Sequence, residues 1–275
     1  MGKNFPQTSL NFRNTGTKIL IATIGSGKTV SHSKILIVAF FVFFLAEGCS
    51  GSAGSEDSKY SAERKRMVAR DLLKKDIRDP SVLAAMEQVP RHLFVDPVYR
   101  SFAYADRPLP INQTQSIPQA YIVALMVQSA QLTPKHHVLE IGSRTGYQTA
   151  ILSRIAGQVY SVENKPGLAF SASQLLRNLD YVNVHIKQGD ESLGWAEFAP
   201  YDAILVTDPI ADPPQAWIDQ LKLGGRMVLS LENTHGIQRV TVLTKTEQGL
   251  DKNVIAGKAF ISITGVEPRE EGVVP

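Results

Sequence analysis

The 275-residue chain holds one cysteine, Cys49, so no disulfide can close within it. Long apolar runs are scarce. The clearest, Ile35 to Ala46 (ILIVAFFVFFLA), is 12 residues without a charge, whereas a membrane-spanning helix needs about 20. Acidic residues are missing from residues 1–34, which carry five bases: Lys3, Arg13, Lys18, Lys28 and Lys34. Those five account for the formal charge of +3. The body beyond Glu47 is close to neutral, so nothing in the charge balance points to nucleic acid. No cluster with metal-ligand spacing and no nucleophile–histidine–acid triad is legible. What remains is a chain that is 43% hydrophobic, enough for one large core or two small ones.

The body is organised around His137-Val-Leu-Glu-Ile-Gly-Ser-Arg-Thr-Gly-Tyr147. Val138 to Ile141 reads as a short buried strand that Gly142 ends. Gly146 then opens a helix, Tyr147 to Ala156, with Ala150, Ile151 and Ile155 on one face. A second strand, Gln158 to Val162, ends in Glu163. This is a βαβ unit with a glycine-bearing turn and an acid about 20 positions beyond its first glycine. Glycines let the backbone approach a ligand, and a carboxylate at the second strand's end can take the two hydroxyls of a ribose.

Further strands are expected at Asn183 to Lys187, Tyr201 to Val206, Arg226 to Leu231, Arg239 to Thr244 and Ala259 to Thr264. Helices Leu168 to Leu179 and Gln215 to Leu221 lie between the earlier ones. That alternation predicts an α/β fold: a doubly wound, mostly parallel sheet. The last two strands lack an intervening helix, so the far edge should run antiparallel. Before this half, helices are expected at Ala62 to Lys75, Val82 to Val89 and Gln119 to Gln131. Asp79-Pro80 is a start signal for the second. Residues 91–104 read as aromatic-rich and irregular, Arg107 to Ile111 as extended, and Asn112 to Pro118 as a polar loop.

Residues 1–49 read as a leader. The apolar core follows Lys34 and precedes Ala46-Glu47-Gly48-Cys49, which resembles a bacterial lipoprotein signal, with Ala46 where leucine is usual. The resemblance implies export and a lipid anchor at Cys49. Residues 50–58 (SGSAGSEDS) read as a flexible tether, and residues 59–275 as the functional domain. Within that domain, 59–134 is the helical part and 135–275 the cofactor-binding part. Ala22 to Thr29 fits a relaxed P-loop pattern, but it runs straight into the apolar core and lacks the helix such a loop needs.

Several blocks carry a family resemblance: V-P-R-H-L-F-V (89–95), A-Y-A-D-R-P-L-P-I (103–111), Q-S-I-P-Q-A-Y-I-V-A-L-M (115–126) and V-L-E-I-G (138–142). With them go Gly146 to Ala150, Gln188-Gly-Asp190, Tyr201 to Ile204 and Leu223 to Arg226. Over about residues 62–266 the chain resembles the protein-L-isoaspartate O-methyltransferases, which belong to the class I S-adenosylmethionine-dependent methyltransferases with a Rossmann-like sheet. The resemblance implies a repair enzyme, monomeric and cytosolic as its family usually is, that methylates the α-carboxyl of L-isoaspartyl residues in damaged proteins and peptides. The ester then collapses to a succinimide that can reopen as aspartate. S-adenosylmethionine is the implied cofactor, with Gly142 and Gly146 at its amino-acid end, Glu163 on the ribose and Asp190 facing adenine. Catalysis should consist mainly of alignment and exclusion of water.

Two positions depart from the family's pattern. Its active-site serine is replaced by Pro118, in Ser116-Ile117-Pro118-Gln119, so Ser116 and Gln119 are the polar groups left to the catalytic loop. Its middle turn glycine is replaced by Arg144. These departures, with a leader that would carry the domain away from cytosolic S-adenosylmethionine, leave open a second reading: an exported domain that binds damaged peptides without methylating them. A translation start at Met67 would instead give a cytosolic product.

Overall fold

The first helix, α1 (Gly51–Met67), begins well before the expected start at Ala62 and takes in residues 51–58, so that segment is helical rather than a flexible tether. Extending an existing helix adds one hydrogen bond per residue without a new nucleation cost, so weak helix formers are carried along. The computed structural model describes residues 51–113, 115–232 and 238–255. The leader with Cys49, the relaxed P-loop pattern and the expected strand at Ala259 to Thr264 lie outside them.

A π-helical turn, Val68–Leu72, prolongs α1. Helix α2 (Pro80–Gln88) starts where its signal places it: Asp79 accepts from the N–H groups of Ser81 and Val82, and Pro80 occupies the first turn. The stretch expected to be irregular forms 3₁₀ turns at Arg91–Phe94 and Pro97–Phe102. Strand β1 (Leu109–Pro110) pairs antiparallel with β2 (Ser116–Ile117), giving the expected polar loop a fixed return. Helix α3 (Ala120–Ser129) is apolar on most of its surface and is buried accordingly.

The α/β half follows as β3 (His137–Ile141), α4 (Tyr147–Ser153), β4 (Gln158–Glu163), α5 (Pro166–Asn178), β5 (Val184–Gln188), β6 (Tyr201–Ile210), α6 (Gln215–Gln220), β7 (Leu221–Glu232), β8 (Gln238–Thr246) and β9 (Gly249–Val254). The sheet order is β5-β4-β3-β6-β7-β8-β9. The first five strands in that order are parallel, and β8 and β9 are antiparallel, which bears out the expected far edge. Strand β9 is mostly exposed and has no apolar alternation by which the sequence could announce it.

Alternating strand residues build two cores. Val138, Val159, Ala203, Leu205 and Val228 face one apolar cluster, which includes side chains from α1 to α4. Leu139, Ile141, Val162, Ile204, Val206 and Met227 face the other, with Trp217 of α6. The chain winds from β3 outward to β5, then returns to β6 on the other side of β3. The carboxyl ends of β3 and β6 therefore flank a topological switch point, where doubly wound sheets bind ligands.

Candidate active site

The turn after β3 is built from left-handed backbone: Gly142 at φ +83°, Arg144 at φ +52° and Gly146 at φ +86°. Glycine is needed at 146 for a second reason. A Cβ there would stand 3.0 Å from Leu176 Cδ1 and 3.4 Å from Ala172 Cβ, so α5 can close against the turn only without one. Arginine gains nothing sterically from the left-handed conformation at 144, and such residues concentrate at functional sites.

The Arg144 side chain crosses the switch point. Nη1 donates to the Ser116 carbonyl at 2.7 Å, and Nη2 pairs with Asp208. Asp208 is available because β6 bulges there: Val206 pairs with Leu229 and Pro209 with the next residue, Ser230, leaving Thr207 and Asp208 as extra residues. Burial lowers the Arg144 pKa from the usual guanidinium value, while the charges of Glu163, Glu191 and Glu140 act to hold its proton.

Glu163 ends β4 as expected, and it is buried. Its Oε2 accepts from the Arg144 N–H at 2.8 Å and its Oε1 from the Lys165 N–H at 3.0 Å. The carboxylate thus ties the glycine turn to the start of α5, and each oxygen retains a lone pair. Asp190 is exposed, and its Oδ1 accepts from the Ser192 N–H and hydroxyl at 2.9 and 2.7 Å, which holds its carboxyl below the usual range. The acid that comes up to the turn is its neighbour, Glu191: an added Cβ on Gly142 would lie 3.9 Å from Glu191 Oε1. Burial pushes the Glu191 pKa up, and the Asn164 N–H donates to it at 3.1 Å.

The loop at 116–118 faces this turn. A cavity of about 20 Å³ is lined by Ile117, Pro118, Gly142, Ser143, Arg144 and Gln148, among others. Two buried guanidiniums hold the loop by its backbone: Arg144 on the Ser116 carbonyl, and Arg91 Nη2 on the Pro118 carbonyl at 2.7 Å. Arg91 also lies 4.6 Å from the Tyr147 ring centre. Ser116 therefore reaches the site through its carbonyl. Gln119 is half-buried at the start of α3 and makes no side-chain cap bond.

Glu140, Glu191 and Asp208 were not singled out from the sequence. Glu140 carried a signal, a carboxylate inside an otherwise apolar strand. It is fully buried and accepts from the Thr149 hydroxyl, the Ser161 hydroxyl at 3.0 Å and Gln148 Nε2 at 3.2 Å. Burial pushes its pKa up to about 7 against those bonds. The other two carried none, because their place depends on the turn after β5 and on the β6 bulge.

A doubly wound sheet with a glycine turn and a strand-end acid at its switch point defines the nucleotide-binding α/β class. Residues 62–268 match the family described as Protein-L-isoaspartate(D-aspartate) O-methyltransferase (PCMT). The chain is 48% identical over 196 residues to a Synechococcus sp. (strain JA-2-3B'a(2-13)) protein-L-isoaspartate O-methyltransferase, covering 69% of this chain and 80% of the relative. A solved protein-L-isoaspartate O-methyltransferase superposes with a TM-score of 0.63 at 28% identity, covering 72% of this chain and 64% of that one. A Plasmodium falciparum beta-aspartate methyltransferase (PCMT) in complex with S-adenosyl-L-homocysteine shares the fold, with a TM-score of 0.61 at 21% identity, covering 74% of this chain and 99% of that one. The chain belongs to the protein-L-isoaspartate(D-aspartate) O-methyltransferase family.

Proposed function

We propose that the protein methylates the α-carboxyl of L-isoaspartyl residues in damaged proteins, with S-adenosylmethionine as methyl donor. The observation that carries this reading is the family match over residues 62–268, together with a switch-point cavity lined by both the 116–118 loop and the glycine turn. The donor set suits a cationic cofactor. Glu163, Glu191 and Asp208 outnumber Arg144, whose charge is already paired, so a sulfonium meets net negative surroundings. Gly142, Gly146, Glu163 and Asp190 are the residues proposed to hold it, together with Glu191, whose Oε1 would lie 3.9 Å from a Cβ added to Gly142.

S-adenosylmethionine supplies a methyl carbon that a substrate carboxylate oxygen takes while the electron pair of the C–S bond stays with sulfur. The carboxylate is already ionised at neutral pH, so the protein needs no general base. The 116–118 loop, held by Arg91 and Arg144, and the turn, held by Glu163, confine the reacting groups and exclude water. Purified chain incubated with labelled S-adenosylmethionine and an isoaspartyl peptide should give base-labile methyl ester, absent with the aspartyl twin. No ester at high enzyme concentration overturns the reading in favour of a peptide-binding domain that has lost transfer; Pro118 is the observation that favours that second reading.

We propose also that residues 1–49 export the domain and that Cys49 becomes its lipid-bearing first residue, the domain acting as a monomer. The support is the leader's sequence. Several acyl chains would anchor firmly where one would not. Intact mass of the native protein tests this: residues 49–275 plus acyl groups supports it, and an unmodified soluble chain from Met67 overturns it. Sedimentation of the purified protein tests the monomer.

A further inference from the structure

Three side chains around the switch-point cavity have a buried polar atom without a hydrogen-bond partner: Ser143 Oγ, Arg144 Nε and Gln148 Oε1. They are 3, 5 and 6% exposed. Burying polar groups unpaired is costly, and a group of them around one cavity marks a site built for a ligand. The orientation of the Gln148 amide is set from its other end, since Nε2 donates to Glu140 Oε1 at 3.2 Å and to the Thr207 hydroxyl at 3.1 Å. Its oxygen is therefore the acceptor on the cavity side. The unsatisfied set is a cationic N–H, a hydroxyl and an acceptor. A carboxylate with an amide N–H beside it has the matching pattern, and an isoaspartyl residue presents that pair.

We propose that Arg144, with Ser143, binds the α-carboxylate of the isoaspartyl substrate, and that Gln148 accepts from the substrate's adjacent amide N–H. The proposal rests on the function given above. It gives a role to both departures from the family's pattern: Pro118 has no hydroxyl to offer, and Arg144 supplies donors to the same space from the opposite wall. The guanidinium donates to the Ser116 carbonyl and pairs with Asp208, whereas Glu163, at the ribose end, takes the Arg144 backbone N–H. A sulfonium, being cationic, gains nothing from a guanidinium, whereas a carboxylate does. The Asp208 side chain is 42% exposed. By turning outward it frees Nη2, so that Nε and Nη2 present a two-pronged edge to the incoming carboxylate. The cavity, as it stands, has room for roughly one water.

The test is calorimetry on the full chain in the presence of S-adenosylhomocysteine, with an isoaspartyl peptide and the same peptide as its α-carboxamide. The unaltered protein should bind the carboxylate form at least about tenfold tighter, the scale of one charge-assisted bond. Arg144→Gly and Arg144→Gln should each abolish that preference and leave S-adenosylhomocysteine affinity within about twofold, and Arg144→Gly,Pro118→Ser should restore part of it. Glycine accepts φ +52°, so the first variant keeps the turn, and thermal melting checks both. Preference unchanged in both variants overturns the proposal, as does a loss confined to S-adenosylhomocysteine binding, which would assign Arg144 to the donor's carboxylate. Because binding needs no turnover, the two readings separate. A preference lost in the variants while the unaltered protein makes no ester upholds this site and removes the transferase reading. Ester formed with the preference untouched does the reverse.

Discussion

Arg144 and Asp208 meet across the gap between the ends of β3 and β6, joining two strands that are hydrogen-bonded neighbours in the sheet and more than 60 residues apart in the chain. One partner is buried and the other is half-exposed, so the pair is neither a screened surface bridge nor a fully desolvated one.

Asp208→Asn should therefore destabilise the fold by about 1–2 kcal/mol, less than the loss of a fully buried partner, because solvent compensates on the exposed side. In an Arg144→Gly background the same substitution should have no measurable effect. Urea denaturation of the two single variants and the double variant gives the coupling energy.

Gly146→Ala should cost about 1–3 kcal/mol, from the left-handed backbone and from the contacts its Cβ would make with Leu176 and Ala172. Retreat of α5 would displace Lys165 from Glu163, so S-adenosylhomocysteine affinity should fall as well. Calorimetry beside a thermal melt reads both effects.

Glu140 has a folded-state pKa of about 7, above the ordinary carboxyl value, because burial opposes its charge. Below the unfolded pKa both states are protonated. As pH rises to about 7 the unfolded state ionises first, so folding loses stability across that window, by up to about 3 kcal/mol, and levels off above it. Glu140→Gln should flatten the dependence. Urea midpoints between pH 4.5 and 8 for the two proteins check this, and equal slopes would refute it.

A product starting at Met67 would lack Tyr60, whose ring stacks on His92 at 4.1 Å, and Arg64, which donates to the Tyr104 hydroxyl at 3.2 Å and to the Glu87 carbonyl. Its stability should fall by at least about 2 kcal/mol relative to the full chain. Thermal melting of both products measures the difference.

The βαβ unit was legible at His137 to Glu163 because its information is local: an apolar run, two glycines at the turn and an acid at the next strand's end. The parallel sheet followed from the same alternation, and the start of α2 from Asp79-Pro80. Element ends were read less well. α1 begins at Gly51, because helix extension overrides the poor propensity of a small polar segment. Strand β9 escaped because an exposed edge strand needs no apolar alternation.

Within the site, residue types alone determined that the loop lacks a hydroxyl at Pro118 and that a cation stands at Arg144. Whether that cation blocks the turn or serves it is a matter of direction, and direction came from tertiary structure. The β6 bulge frees Asp208, the β1–β2 pairing presents the Ser116 carbonyl, and these two acceptors draw the guanidinium across the switch point. The same holds for the acids. The family resemblance pointed to Asp190, and the 3₁₀ turn after β5 uses that side chain as its cap and brings Glu191 up to Gly142 as well. Strand and helix propensities act over a few neighbouring residues, whereas the aim of a charged side chain is set by partners that only folding brings near.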